Sequence, residues 1–159
     1  AERSPPTRGA QTTADEDFDA WRALQKATDK KRADILADVV GHPKGLPSVE
    51  ELDYMNPSLS DDAIRRHLDT LESVGVVRAR ELAPGERLRD YPRKFYGLTE
   101  DARELFDRNG LFPEEAWRRQ YRAVEKTARI RDLESMPRPA DSTAERLRRP
   151  RPTVPLRLT

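Results

Sequence analysis

Basic side chains concentrate in the middle of the chain, between positions 65 and 94. Within positions 78–94 there are six basic residues and only three acidic ones. Most of the six are arginines, whose guanidinium group offers a fork of N–H donors that matches the oxygens of a phosphate. Two more arginines, Arg65 and Arg66, precede this stretch. These residue types indicate a region that binds a polyanion; the alternative is a solvated hairpin that neutralises its own charges.

Catalytic chemistry has little support in the sequence. The chain has no Cys, which excludes thiol catalysis, disulfides and thiolate metal sites. The two histidines, His42 and His67, have no Asp, Ser or Cys at a spacing typical of a triad or a metal site. The seven glycines are scattered over turns and form no phosphate-cradling loop. We therefore expect a protein that is not an enzyme and that has no cofactor and no metal.

A short helix is predicted ahead of the arginine-rich stretch. Ser48 can cap its first turn, and Glu51, three residues later, can reach back to complete a capping box. The Asn56-Pro57 pair ends this helix, because the residue before a proline is pushed out of the α region. Ser60 then provides the cap of a second helix.

The second helix is predicted over about residues 60–73. Apolar residues recur on it at steps of four and three, and so share one buried face: Ile64, Leu68 and Leu71. Gly75 ends the helix. The opposite face carries Arg65 and Arg66, where a recognition helix presents side chains to a DNA major groove.

A two-stranded β-ribbon is predicted next, over about residues 76–98. An outgoing strand begins at Val76, residues 83–86 form a turn, and Phe95 begins the returning strand. Two capped helices followed by a ribbon are the outline of a winged helix–turn–helix. The predicted fold is therefore mainly α with a small β-hairpin, a winged helix–turn–helix with extra N- and C-terminal helices.

The predicted interface comprises the start of the second helix and the basic side chains of the ribbon. Its members are Ser58, Ser60, Arg65, Arg66, Arg80, Arg87, Arg89, Arg93 and Lys94. We expect the recognition helix to enter the major groove of double-stranded DNA and the wing to lie on the backbone or in the minor groove. Ser60 can equally serve only as a helix cap.

Three segments also resemble a known group of proteins. The segments 41–43, 50–58 and 95–100 (GHP, EELDYMNPS and FYGLTE) look like winged helix–turn–helix regulators of halophilic archaea, which are grouped loosely with ArsR- or MarR-type transcription factors. The resemblance covers about Asp15 to Pro139. It implies a sequence-specific DNA-binding transcriptional regulator, commonly a homodimer. The composition fits such a source, since Arg outnumbers Lys by 24 to 6.

Helices are also predicted on both sides of the winged module. A helix from Asp15 to Ala27 would bury Phe18, Trp21 and Leu24, and a core helix spans about residues 30–41. After the wing, Thr99 caps one helix and Pro113 opens a longer one that runs to about Glu134. A stripe on this long helix is predicted to form a homodimer interface, or else to pack on the chain's own N-terminal helix: Trp117, Tyr121, Val124 and Ala128.

The chain is expected to hold one domain, at residues 15–135, between two tails. Residues 1–14 lack apolar periodicity and are expected to be disordered. Residues 136–159 are rich in Pro and Arg, and such an arm can bind phosphates or serve only as a solubilising tail. The alternative function is therefore a winged-helix structural or RNA-binding component of a large assembly such as the ribosome. No apolar stretch approaches the ~18 residues of a membrane span, so a cytoplasmic location is expected.

Overall fold

The computed structural model describes residues 18–139, which form seven helices and one β-ribbon. The helices are α1 (Ala20–Ala27), α2 (Lys30–Gly41), α3 (Val49–Met55), α4 (Asp61–Ser73), α5 (Glu100–Arg108), α6 (Glu114–Ala123) and α7 (Ala128–Ser135). The antiparallel strands β1 (Val77–Glu81) and β2 (Lys94–Leu98) lie between α4 and α5, with one 3₁₀ turn at Pro84–Glu86. The predicted fold class, a winged helix–turn–helix with extra helices at both ends, is confirmed. The N-terminal tail, the helix start at 15–17 and the arm beyond 139 lie outside the described residues.

The predicted caps define the helix–turn–helix. The Ser48 hydroxyl accepts a hydrogen bond from the Glu51 N–H at 3.3 Å, and the Glu51 carboxylate accepts one from the Ser48 N–H at 2.9 Å, which completes the capping box. Ser60 caps α4 by accepting from the Ala63 N–H at 3.1 Å. Gly75 follows the end of α4 with φ of 78°, a left-handed conformation that glycine adopts without steric cost.

The main core lies between the first five helices and the base of the ribbon. Its largest fully buried aliphatic side chains are Ile35, Leu36, Leu52, Ile64, Leu68 and Leu71. Ile64, Leu68 and Leu71, predicted on the buried face of the second helix, are therefore buried as expected. Because α4 uses its whole apolar stripe in this core, its opposite face is left to solvent.

A second apolar cluster joins the ribbon to α7. It consists of Leu82 and Phe95 from the ribbon region with Ile130, Leu133 and Met136. Met136 is 5% exposed, and the Arg138 side chain is 6% exposed. The folded region therefore continues beyond residue 135, where the sequence placed the start of the tail.

The long helix predicted from Pro113 to about Glu134 is wrong. It is two helices, because the backbone becomes extended at Val124, with φ of −74° and ψ of 131°. Thr127 starts α7 by accepting a hydrogen bond from the Ile130 N–H at 3.2 Å. Lys126 closes α6 by donating to the Tyr121 carbonyl at 2.7 Å. The Thr127 cap and the Lys126 contact are both local features of the sequence, but the prediction rested on apolar spacing alone.

The predicted buried face of the N-terminal helix is also wrong at one position. Trp21 is 68% exposed, whereas Ala23 and Ala27 are fully buried. Small side chains let α1 approach α2 and α4 closely, and Trp21 points to the other side of the helix. Phe18 and Leu24 are partly buried against the main core, as expected.

All of the described helices are short. The longest, α4, has 13 residues. Within residues 18–139, no helix has the length and apolar character needed to cross a membrane.

Candidate nucleic-acid interface

The exposed face of α4 carries charges of both signs. Arg65 and Arg66 are exposed, as the sequence predicted, and so are Asp61, Asp62 and Asp69. The two aspartates of the first turn lie at the positive end of the helix dipole, where negative charge is stabilising. The arginines occupy the following turn.

The turn between α3 and α4 is anchored to α2. The Asn56 side-chain amide donates to the Asp38 carboxylate and to the Leu52 carbonyl, both at 2.8 Å. The Leu59 N–H donates to the Asn56 carbonyl at 2.9 Å, which closes the turn. Ser58, in this turn, is exposed. Asn56 therefore fixes the position of the N-terminus of α4.

The ribbon is joined to the helix–turn–helix at its base. Its register pairs Val77 with Leu98 and Glu81 with Lys94. The Tyr96 N–H donates to the Pro47 carbonyl at 2.9 Å, so β2 also pairs with the segment that leads into α3. A backbone hydrogen bond therefore joins the wing to the segment before α3, and the base of the wing has a fixed position.

The basic side chains of the wing have different surroundings. Arg87 is held within the hairpin, since it donates to the Leu82 carbonyl at 3.1 Å and to Glu81 at 3.3 Å. Arg80 is half-buried, whereas Arg89, Arg93 and Lys94 are exposed. The hairpin thus neutralises part of its own charge at Arg87. Among its exposed basic side chains, Arg78 lies on the outgoing strand, and Arg89, Arg93 and Lys94 lie on the returning segment.

A cleft of about 440 Å³ lies between α3, the start of α4 and the wing. Three residues of the predicted interface line it: Arg65, Arg93 and Lys94. Ser58, Ser60, Arg66, Arg80, Arg87 and Arg89 are not among its lining residues. The tertiary structure therefore brings one arginine of the helix and two basic residues of the wing to a common cavity.

Acidic residues form another part of the same cleft. Glu50, Asp53 and Asp61 line it together with the aromatic rings of Tyr91 and Tyr96. Burial and the negative charge of Asp61 raise the pKa of the Asp53 carboxyl. On the wing side Arg93 and Lys94 outnumber the acidic Asp90, whereas α3 contributes the acidic Glu50 and Asp53. A ligand with negative charge would therefore be attracted to the wing side, and the cleft favours one orientation of a polyanion.

The four residues of the predicted dimer interface do not form one helical stripe. Tyr121 is 2% exposed and packs within its own chain, where α6 lies against α2. Trp117 is half-buried, Val124 lies at the break after α6, and Ala128 begins α7. The intrachain packing foreseen for this stripe thus occurs on α2 and not on the N-terminal helix. Homodimerisation itself stays a prediction.

A buried polar cluster was missed from the sequence. His42 is fully buried, and its Nε2 lies 2.6 Å from Oε2 of Glu51. The Lys44 N–H donates to Nδ1 of His42 at 3.1 Å, so Nε2 carries the proton that His42 donates to Glu51. Arg138 completes the cluster, with Nη2 3.0 Å from Oε1 of Glu51. The capping box identified Glu51, but no local signal pointed to its other two partners.

Burial by itself raises the pKa of Glu51, but the hydrogen bonds and nearby positive charge outweigh it. Hydrogen bonds from His42 and Ser48 and the charge of Arg138 hold the pKa of Glu51 below its usual value. Among residues 18–139, no group of three or more His, Asp or Glu side chains is arranged to hold a metal ion. The cluster connects the end of α2 and the segment after α7 to the first turn of α3.

Comparison with solved structures identifies a similar protein. It is a protein with a GntR superfamily winged-helix–turn–helix domain from Halomicrobium mukohataei, with 27% sequence identity and a TM-score of 0.69. The match covers 88% of this chain and 97% of the other. No protein-family model matches the chain. A search of curated proteins finds no relative either. The winged helix–turn–helix part of the resemblance is confirmed, but the comparison does not support the ArsR- or MarR-type subtype.

Proposed function

We propose that this chain is a sequence-specific DNA-binding transcriptional regulator. The observation that carries the proposal is the common cleft of Arg65, Arg93 and Lys94 between the start of α4 and the wing. A helix that presents arginines to base edges beside a wing that contacts phosphates is the geometry of winged-helix DNA recognition. The similarity to a winged-helix–turn–helix domain from a haloarchaeon supports the same function.

The two parts of the interface would have different roles. Arg65 and Arg66 on α4 would read base edges in the major groove, where arginine pairs with guanine through two hydrogen bonds. Arg93 and Lys94 on the wing, with Arg89 at its exposed edge, would contact phosphates or enter the minor groove. Ser60 is occupied as the α4 cap, which leaves Ser58 as the hydroxyl better placed for a backbone contact.

The acidic side of the cleft supports specific over general binding. Glu50, Asp53 and Asp61 repel phosphates, so a duplex that gains no base contacts would bind weakly. A duplex that does make base contacts can direct its phosphates to the wing and its bases to α4, and carboxylates can accept hydrogen bonds from cytosine amino groups.

The proposal is tested by selecting duplexes from a random library with the full chain and measuring affinity by fluorescence anisotropy. We expect one enriched sequence that binds at least ~10³-fold more tightly than random duplex at the same salt concentration. The Arg93→Ala variant should weaken binding, whereas Arg119→Ala, on α6 outside the cleft, is the control for loss of one charge. Equal affinity for all duplexes, or a preference for structured RNA, would contradict the proposal.

A further inference from the structure

Arg129 of α7 joins three separate parts of the chain. Its Nε and Nη2 lie 3.0 and 3.1 Å from the two carboxylate oxygens of Glu50 on α3. Nη2 also donates to the main-chain carbonyl of Asp90, in the wing, at 2.8 Å. The guanidinium lies 4.7 Å from the centre of the Tyr91 ring. One side chain therefore connects the first helix of the helix–turn–helix to the far part of the wing.

The wing backbone is shaped for this contact. Asp90 has φ of 67°, in the left-handed region, which aspartate tolerates better than most residues. The turn is closed by the Tyr91 N–H, which donates to the Leu88 carbonyl at 3.2 Å. The Tyr91 hydroxyl lies 3.3 Å from Oδ2 of Asp132, one turn after Arg129 on α7. Two consecutive turns of α7 thus hold two consecutive residues of the wing.

We infer that Arg129 is a positioning residue for the nucleic-acid interface, which latches the wing to α3 and α7 so that Arg93 and Lys94 face the cleft. The inference rests on the proposed function, since it concerns how that interface is held. The contact is directional because Arg129 engages both oxygens of Glu50 and the carbonyl of Asp90 at once. An isolated exposed ion pair contributes little, but a bidentate pair that also holds a carbonyl and a ring restricts the wing to one orientation.

A direct phosphate contact is the competing role for Arg129. Arg129 lines the same cleft as Arg65 and Arg93, and its side chain is 41% exposed. Glu50→Gln removes one repulsive charge from the cleft in either case, so the two roles differ in what it does to the wing. If Arg129 is a latch, loss of the Glu50 charge frees the wing, which speeds amide exchange there and gives a net weakening of binding. If Arg129 binds phosphate, the same loss releases the guanidinium and strengthens binding, and exchange in the wing does not change.

The experiment measures DNA affinity and amide hydrogen exchange for the wild type and three variants of the full chain. Arg129→Gln and Glu50→Gln should each weaken binding to the selected duplex about three- to tenfold. Both should speed exchange at Leu82 and Tyr91, whose amides donate to the Arg93 and Leu88 carbonyls within the wing. Exchange at Leu68, in the core of α4, should not change.

The matched control is Arg131→Gln, on the same helix. Arg131 is exposed and donates to the Lys126 carbonyl at 2.6 Å, and it does not line the cleft. The Arg131→Gln variant removes the same charge as Arg129→Gln and should leave amide exchange in the wing unaltered. Equal weakening by the two variants would show a general charge effect and overturn the inference.

Two other results would also overturn it. A net tightening of binding by Glu50→Gln would show that the freed wing costs no affinity, and unchanged exchange at Leu82 and Tyr91 would show that the wing does not depend on Arg129. If the wild type binds no duplex, the proposed function fails. Exchange then decides separately whether Arg129 holds the wing, so the two failures are distinguishable.

Discussion

Arg138 and Glu51 form an ion pair inside the protein, although 87 positions separate them in the sequence. Nη2 of Arg138 lies 3.0 Å from Oε1 of Glu51, and the two side chains are 6% and 0% exposed. The other nitrogens of Arg138 donate to the Leu46, Leu133 and Met136 carbonyls at 2.7 to 2.9 Å. Arg138 therefore ties the segment after α7 to the first turn of α3, at the base of the candidate interface.

We expect Arg138→Gln to lower the free energy of unfolding by about 3–5 kcal/mol, because it leaves Glu51 charged, buried and without its cation. Urea unfolding at neutral pH measures the change. Arg131→Gln, which removes an exposed arginine of α7, should change stability by less than about 1 kcal/mol. Equal effects of the two variants would contradict a supporting role for the buried pair.

Asp38 should make the protein less stable as the pH rises. Burial is the main cause that raises the pKa of this carboxyl, from 3.8 to about 7, while the hydrogen bond from Asn56 opposes it. Between those values the unfolded chain releases the proton and the folded chain keeps it, so stability falls as pH rises from about 4 to about 7.

The Asp38→Asn variant removes this titration. Its stability relative to wild type should increase over the same pH interval, by up to about 4 kcal/mol. Asp34→Asn, on the same helix, is the control: Asp34 forms an exposed pair with Lys30 at 3.0 Å, so a small change is expected. Chemical unfolding at several pH values gives the comparison, and a constant difference between wild type and Asp38→Asn would contradict the raised pKa.

Gly41, the last residue of α2, lies where α2 packs against α6. A Cβ at this position would lie 2.5 Å from the Trp117 carbonyl oxygen and 3.1 Å from Cβ of Tyr121. Because the nearest atom belongs to the backbone, Gly41→Ala must displace α6, and we expect a loss of about 1–3 kcal/mol. Gly85→Ala, where nothing lies within 4 Å of the new Cβ, should be neutral. Thermal unfolding of the two variants tests the helix contact.

Tyr121 and Tyr54 should respond differently to the loss of a hydroxyl. The Tyr121 hydroxyl is buried and has no hydrogen-bond partner among the described residues, and burial raises its pKa. The Tyr54 hydroxyl donates to the Glu125 carbonyl at 2.6 Å. Tyr121→Phe should therefore be neutral or stabilising, whereas Tyr54→Phe should cost about 1 kcal/mol. Equal losses in urea unfolding would mean that Tyr121 has a polar partner.

The α4 arginines and the wing should differ in their effect on DNA binding. Arg65→Ala or Arg66→Ala should weaken the selected duplex by about 1–3 kcal/mol and relax preference at one position. Arg93→Ala should weaken all duplexes alike and reduce the slope of log K against log salt by about one unit. Titrations at several salt concentrations separate these effects, and an equal loss on selected and random duplex would reduce Arg65 to a phosphate contact.

Local sequence determined the elements of this protein. Three side chains cap the helix that follows them: Ser48, Ser60 and Thr99. Pro57 restricts the backbone of the residue before it, and Gly75 adopts a left-handed conformation at the end of α4. Such effects act over about four residues, so they can be read without knowledge of the fold. The helix–turn–helix, the ribbon and the apolar face of α4 were predicted for this reason.

The tertiary structure alone decided which side chains meet. Arg129 reaches Glu50 across 79 positions, and nothing near either residue in the sequence indicates the other. The same holds for Arg138. The sequence assigned it to a basic tail, whereas in the fold it follows α7 and pairs with Glu51. Apolar periodicity also led to two wrong predictions, a buried Trp21 and one long helix in place of α6 and α7. Periodicity gives the spacing of apolar residues, but not the surface that will cover them. Long-range contacts depend on how whole helices and strands pack together. That packing is the sum of many weak interactions spread over the chain.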